Sequence, residues 1–98
     1  MTALALYYAE LDERRALEDI EDAAAEAAAA FAAGLNTLNA AELDEPMVLE
    51  DLADTARFKA VMAYGVDYDD LPTVEALIAG ADIPARIAVR AAGYEVAA

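Results

Sequence analysis

The chain reads as all-α, a small helical bundle of two long and two short helices in a single acidic domain covering residues 1–98. Three observations predict this. Helix formers run without proline or glycine from Ala3 to Ala33, and apolar residues recur at helical spacing on both sides of Gly34. Pro46, Gly65, Pro72, Gly80, Pro84 and Gly93 then bound the later helical stretches. No segment alternates in the manner of a half-buried strand, and no internal repeat is present.

The first helix is expected over Ala3 to Ala33, with Thr2 as its N-cap and Gly34 at C′. At about 100° per residue, Leu6, Leu17, Ile20, Ala24, Ala27 and Phe31 share one face, the expected core stripe. Asp12, Asp19 and Glu26, at i, i+7 and i+14 and flanked by Arg15 and Asp22, fall on another azimuth and are expected in solvent. Leu4, Tyr7, Tyr8 and Leu11 make a second apolar patch. Either the C-terminal helices fold back over it, or a partner or second copy of the chain occupies it.

Residues 35–45 read as a connector holding one short turn, capped by Asn39 with Glu42 three residues on in capping-box spacing. Pro46 fits N1 of a second main helix that runs to Tyr64 and closes at Gly65. Its core face is Leu49, Leu52, Ala53, Ala56, Ala60 and Ala63, and Phe58, Val61 and Met62 add a second apolar face that also calls for burial. After a polar turn over Val66 to Asp70, Pro72 or Thr73 opens a short helix that ends at Gly80. The last helix is expected from Pro84, capped by Asp82 or Ile83, to Gly93.

A chain of 98 residues buries only about 60–65% of the surface that its unfolded form exposes. Alanine supplies 28 of the 59 apolar residues, so the composition favours thin, closely approaching helices over bulky packing. The charge is one-sided, with 20 acids against 6 bases and a net charge of −14. Residues 1–33 carry −6, residues 34–64 and 65–80 carry −4 each, and residues 81–98 are neutral. That balance makes a polyanion an unfavourable ligand, so direct nucleic-acid binding is not expected.

With neither cysteine nor histidine, the usual zinc and haem ligands and thiolate chemistry are missing, so no cofactor and no metal are expected. The longest apolar run, Ala27 to Leu35, falls well short of the roughly 20 residues of a membrane span. Met1 to Ala9 lacks the basic n-region of a signal peptide, and a cytoplasmic protein without membrane contact is expected.

Several motifs invite sharper readings. Thr73 to Ala92 resembles a helix-turn-helix in outline, with Arg86 and Arg90 on its second helix, but two arginines do not offset the acid against phosphate, and an αα-hairpin is expected. Asp67, Asp69 and Asp70 beside Glu75 begin like a calcium loop, which then fails at Leu71, Pro72 and Ile78. A solvated acidic loop with Asp70 as a helix cap is expected instead. Serine, cysteine and histidine are all absent, leaving carboxylates, five tyrosines and Lys59 for acid–base work. A carboxylate pair would need a pocket to drive the two groups apart in acidity, and the chain is expected not to be an enzyme. Glu10 and Arg14 are expected to pair at i, i+4.

The residues singled out for partner binding are Asp12, Asp19, Asp22 and Glu26 on the first helix, Tyr7 and Tyr8 near its start, and Asp67, Asp69 and Asp70 in the acidic turn. Carboxylates three and four apart on a helix lie about 5–6 Å from one another, a step comparable to that between successive phosphates. Such a row suits a basic cleft built for DNA or RNA, reached by electrostatic steering. In size and charge the chain is similar to the small acidic inhibitors that phages and mobile elements direct at host nucleases, anti-CRISPR proteins among them. The resemblance rests on size and charge and on no motif. It implies a basic, nucleic-acid-binding surface on another protein, which this chain would block.

Two other classes compete with that reading. The absence of serine, glutamine, histidine, cysteine and tryptophan points to a designed or purely structural bundle with no evolved partner. The two-faced apolar pattern of both long helices and the adjacent Tyr7 and Tyr8 argue against it, since idealised designs keep one apolar stripe per helix. A carboxylate enzyme is the third class. High-salt adaptation or a high-GC genome would also account for part of the acid, alanine and arginine excess.

Overall fold

The computed structural model describes residues 3–97, with side chains described through residue 93. Among these residues five helices follow one another: α1 (Ala3–Leu35), α2 (Ala40–Leu43), α3 (Pro46–Tyr64), α4 (Val74–Gly80) and α5 (Ile83–Ala97), with a 3₁₀ turn at Tyr68–Asp70 between α3 and α4. No strand occurs among the described residues, so the protein is all-α. The count differs from four because the connector's short turn is a helix in its own right, α2. Thr2, the expected cap of α1, lies outside the described residues.

Local chemistry sets most of the boundaries. The Asn39 side chain accepts from the Glu42 amide (2.8 Å), and the Glu42 carboxylate accepts from the Asn39 amide (3.1 Å), the reciprocal pair that starts α2. Pro46 opens α3, and Gly65 closes it in the left-handed region at φ 68°. Thr73 Oγ1 caps α4 by accepting from the Ala76 amide at 3.1 Å. Thr73 therefore holds the role expected of Asp70, which lies in the preceding 3₁₀ turn.

Two glycines do not act as stops. Gly34 lies inside the last turn of α1, where a Cβ would come within 2.5 Å of Leu52 Cδ1. Its lack of a side chain is what lets α3 approach there. Gly93 lies within α5, which continues to Ala97; glycine inside a helix costs about 1 kcal/mol, too little to end one by itself. The reversal before α5 falls on Asp82, whose φ of 50° is the left-handed conformation that aspartate tolerates better than most residues.

Helix α3 runs back along α1 in the antiparallel sense, and their contact is built in two parts. Near the connector, Phe31 and Leu35 of α1 pack with Leu43, Leu49, Ala53, Ala56 and Leu77. Further along, Ala23 and Ala27 face Ala60, with Leu71 closing the end of this cluster. Helix α4 rests on α3, and α5 rests chiefly on α2, turning Ile83 and Ile87 toward the first cluster.

The core is shorter than the apolar pattern suggests. Helix α3 reaches back only to the neighbourhood of Ala16 and Ile20, where its C-terminal turn meets α1. Leu6 and Leu17, expected in the core stripe, are exposed because no helix lies opposite them. Leu4, Tyr7 and Tyr8 are exposed as well, and the C-terminal helices do not fold back over this end. On α3, Ala63, Phe58 and Met62 face solvent, since only one side of that helix meets α1. The first three to four turns of α1 therefore project from the body, and the molecule measures 70 × 22 × 19 Å.

Candidate functional site

Where the turn after α3 meets the flank of α1, Ala16, Asp19 and Ile20 of α1 and Tyr64, Gly65, Val66, Asp67 and Asp70 line a shallow cleft of about 220 Å³. Half-buried Ile20 and Val66 make its apolar part, and Asp19, Asp67 and Asp70 supply three exposed carboxylates. Two acidic groups that are far apart in sequence are thus brought together.

Asp19 reaches this cleft because the acidic row is not on the outward face of α1. The buried stripe runs through Ala23, Ala27, Phe31 and Leu35, rotated from the one expected through Leu6 and Leu17. At 100° per residue Asp12, Asp19 and Glu26 then lie along the border of the α3 contact, about 90° from its centre. Asp12, Asp22 and Glu26 are exposed along α1 and do not line the cleft. Asp69 is exposed on the 3₁₀ turn. Tyr7 and Tyr8 lie apart on the projecting tip, edge to face with centroids 5.7 Å apart and planes at 67°.

Arg57 fixes the turn that carries these aspartates. Its Nη2 donates to the Tyr68 carbonyl at 2.8 Å, its guanidinium stands 5.3 Å from the Tyr68 ring centroid, and its Nη1 lies 3.9 Å from Asp54. Its Nε is buried without a partner, so the clamp is bought at some desolvation cost. Sequence reasoning missed this residue, because a hydrogen bond to a carbonyl eleven positions away leaves no local signature.

A second acidic cleft also went unread. Glu50, Asp51 and Asp54 of α3 face Val74 and Glu75 of α4 around an open space of about 360 Å³. The signal for it was three acids within one turn of a helix, followed by another acid at the start of α4. Among the described residues, no three metal-ligating side chains converge on a point that could hold an ion.

Two further cations, Arg86 and Arg90, are committed elsewhere. Arg86 donates from Nε to the Ala81 carbonyl at 2.8 Å and from Nη1 to Asn36 Oδ1 at 3.3 Å. Arg90 donates from Nε to the Leu38 carbonyl at 3.2 Å and from Nη2 to the Asn36 carbonyl at 2.8 Å. Both arginines of the helix-turn-helix outline thus bolt α5 to the chain leaving α1, where cations also suit the negative helix terminus. They point inward, not toward a groove.

Among the described residues the one ion pair is Asp54 with Arg57, and the expected Glu10–Arg14 pair does not form. The acids are therefore left to repel one another through solvent. Thermal midpoints should rise as salt shortens the Debye length from about 30 Å at 0.01 M to about 8 Å at 0.15 M. Melts at both ionic strengths, each at two protein concentrations to separate screening from association, check this. An unchanged midpoint would mean that the carboxylates are compensated locally.

The fold and site define an all-α protein with an acid-lined cleft and a projecting helix, none of whose helices is long and apolar enough to cross a membrane among the described residues. Comparison with protein-family models, curated proteins and solved structures gives no match.

Proposed function

We propose that the protein binds a basic, nucleic-acid-binding surface on another protein and blocks it, acting as a nucleic-acid mimic in the manner of small acidic phage inhibitors. The observation that carries this reading is the meeting of Asp19 with Asp67 and Asp70 in one exposed cleft, continued along α1 by Asp12, Asp22 and Glu26. Carboxylates without intramolecular partners keep their full attraction for a cation on another molecule. The exposed Leu4, Tyr7 and Tyr8 weigh against a purely structural bundle, which has no use for them. On this reading the protein acts in the cytoplasm without cofactor or membrane, touches no nucleic acid itself, and is not an enzyme. The three cleft carboxylates are all exposed, whereas an acid–base pair works best with one member withdrawn from water.

The test replaces Asp12, Asp19 and Asp22 with Asn and Glu26 with Gln in one variant. Wild type immobilised on a resin should retain basic nucleic-acid-binding proteins from a nuclease-treated lysate and release them to a competing oligonucleotide. The variant should keep its helicity and retain at most about a tenth as much, mainly through slower association. Equal retention by the two proteins, or release indifferent to oligonucleotide and salt, would overturn the proposal.

A further inference from the structure

The projecting tip of α1 carries a large apolar patch that is free of acid. Leu4, Tyr7 and Tyr8 are 61%, 59% and 56% exposed, and half-buried Leu11 completes the group within one arc of the helix surface. No charged side chain occurs from Ala3 to Ala9. Of the other apolar residues exposed to a similar degree, Leu6 and Leu17 share the opposite side of α1 with Glu10 and Glu13, Met47, Phe58 and Met62 share the outer side of α3 with Asp51 and Asp54, and Val89 stands singly on α5. A second highly acidic molecule could approach the tip and not the acid-flanked sides.

We propose that the occupant of this patch is a second copy of the chain, bound antiparallel through α1 with the two-fold axis near Tyr7 and Tyr8. In that arrangement Leu4 of one copy lies over Leu11 of the other, and the tyrosine pair meets its symmetry mate. Charge selects the direction. A parallel pair sets Glu10, Asp12 and Glu13 level with themselves, whereas the antiparallel pair sets Glu10 and Asp12 level with Ala5 and Ala3. At 1.5 Å per residue the two bodies, which begin near Ala16, stand about 25 Å apart along the axis, some three Debye lengths at 0.15 M salt. The net charge of −14 that opposes association elsewhere is screened here.

Size sets the strength. Two half-exposed tyrosines, Leu4 and part of Leu11 offer about 400 Å² per copy, half of the roughly 800 Å² per partner in a standard stable interface. The dimer is therefore of the weak, transient kind. It is also strengthened by salt, the opposite of binding to a basic partner. This inference does not depend on the acidic-cleft proposal, and the opposite salt responses keep failure of one distinct from failure of the other.

Sedimentation equilibrium on the full chain, from 5 μM to 1 mM at 0.02 and 0.5 M NaCl, tests it. A monomer–dimer equilibrium at least threefold tighter at high salt is expected, and Tyr7→Ala with Tyr8→Ala should abolish it. Should that double variant lose helicity, Ala5→Lys gives an independent check by gain of binding. At 100° per residue Ala5 and Asp12 fall on the same flank of the patch, and the two-fold axis brings one beside the other across the dimer. Ala5→Lys should tighten the dimer about three- to tenfold, while Ala9→Lys, the same charge change on the far side of the helix, should not. A monomer at 1 mM in 0.5 M NaCl, or equal effects of the two lysines, would overturn the proposal.

Discussion

Leu35→Ala is expected to lower the unfolding free energy by about 3–5 kcal/mol, a large share of the roughly 5–15 kcal/mol available to a domain of this size. Leu35 and Leu43 are the largest side chains with essentially no exposed surface, and Leu35 sits where α1, α2 and α3 meet. The cavity left by truncation has little means of closing. On one side Gly34 is already against Leu52, and on the other the Asn36 carbonyl is held by Arg90. Urea unfolding followed by circular dichroism should show the midpoint falling by about 1–3 M. Leu17→Ala removes the same atoms from a position that is 61% exposed and should cost less than about 0.5 kcal/mol. Equal losses for the two variants would mean that the core does not lie where α1 meets the connector.

Enlarging Ala60 is the second change with a large expected effect. Ala23, Ala27 and Ala60 all have 0% exposure, so the backbones of α1 and α3 approach as closely as methyl groups allow. Ala60→Leu adds three carbons to an interface whose other buried members are two alanines and Leu71. Alanine has no rotamer to change, so α3 must lift away. The cost should be about 2–3 kcal/mol, or about 10–20 °C in the thermal midpoint. The turn carrying Asp67 and Asp70 follows directly from α3, so the cleft at Asp19 should open with it. Ala25→Leu, on the exposed side of α1, should leave the midpoint within a few degrees. A normal melt for Ala60→Leu would show that the two helices are not in alanine contact.

Features decided by neighbours in sequence could be read without a structure. The Asn39–Glu42 capping box, Pro46 at the start of α3 and Gly65 at its end all behave as their local chemistry predicts. Features decided across the chain could not. The stripe of Leu6 and Leu17 has the periodicity of a core face, yet periodicity says only that a helix could be covered there. A second helix of 19 residues cannot line one of 33, and an antiparallel return begun next to Leu35 leaves the far end bare. Arg86 and Arg90 looked available for a ligand because their carbonyl partners lie at Ala81, Asn36 and Leu38, and the pairs involving Arg90 span 52 and 54 positions. The acids at Asp19, Asp67 and Asp70 were recognisable one by one. Their convergence depended on where α3 ends against α1.

The projection of α1 also governs how the molecule moves through solvent. At 70 × 22 × 19 Å it is roughly three times as long as it is wide, and its radius of gyration of 18.3 Å exceeds the approximately 13 Å of a compact chain of this length. A rod of that shape drags more solvent than a sphere of equal mass. A single copy should therefore leave a sizing column ahead of globular standards of 10.3 kDa, at a position that reports its length and not its mass.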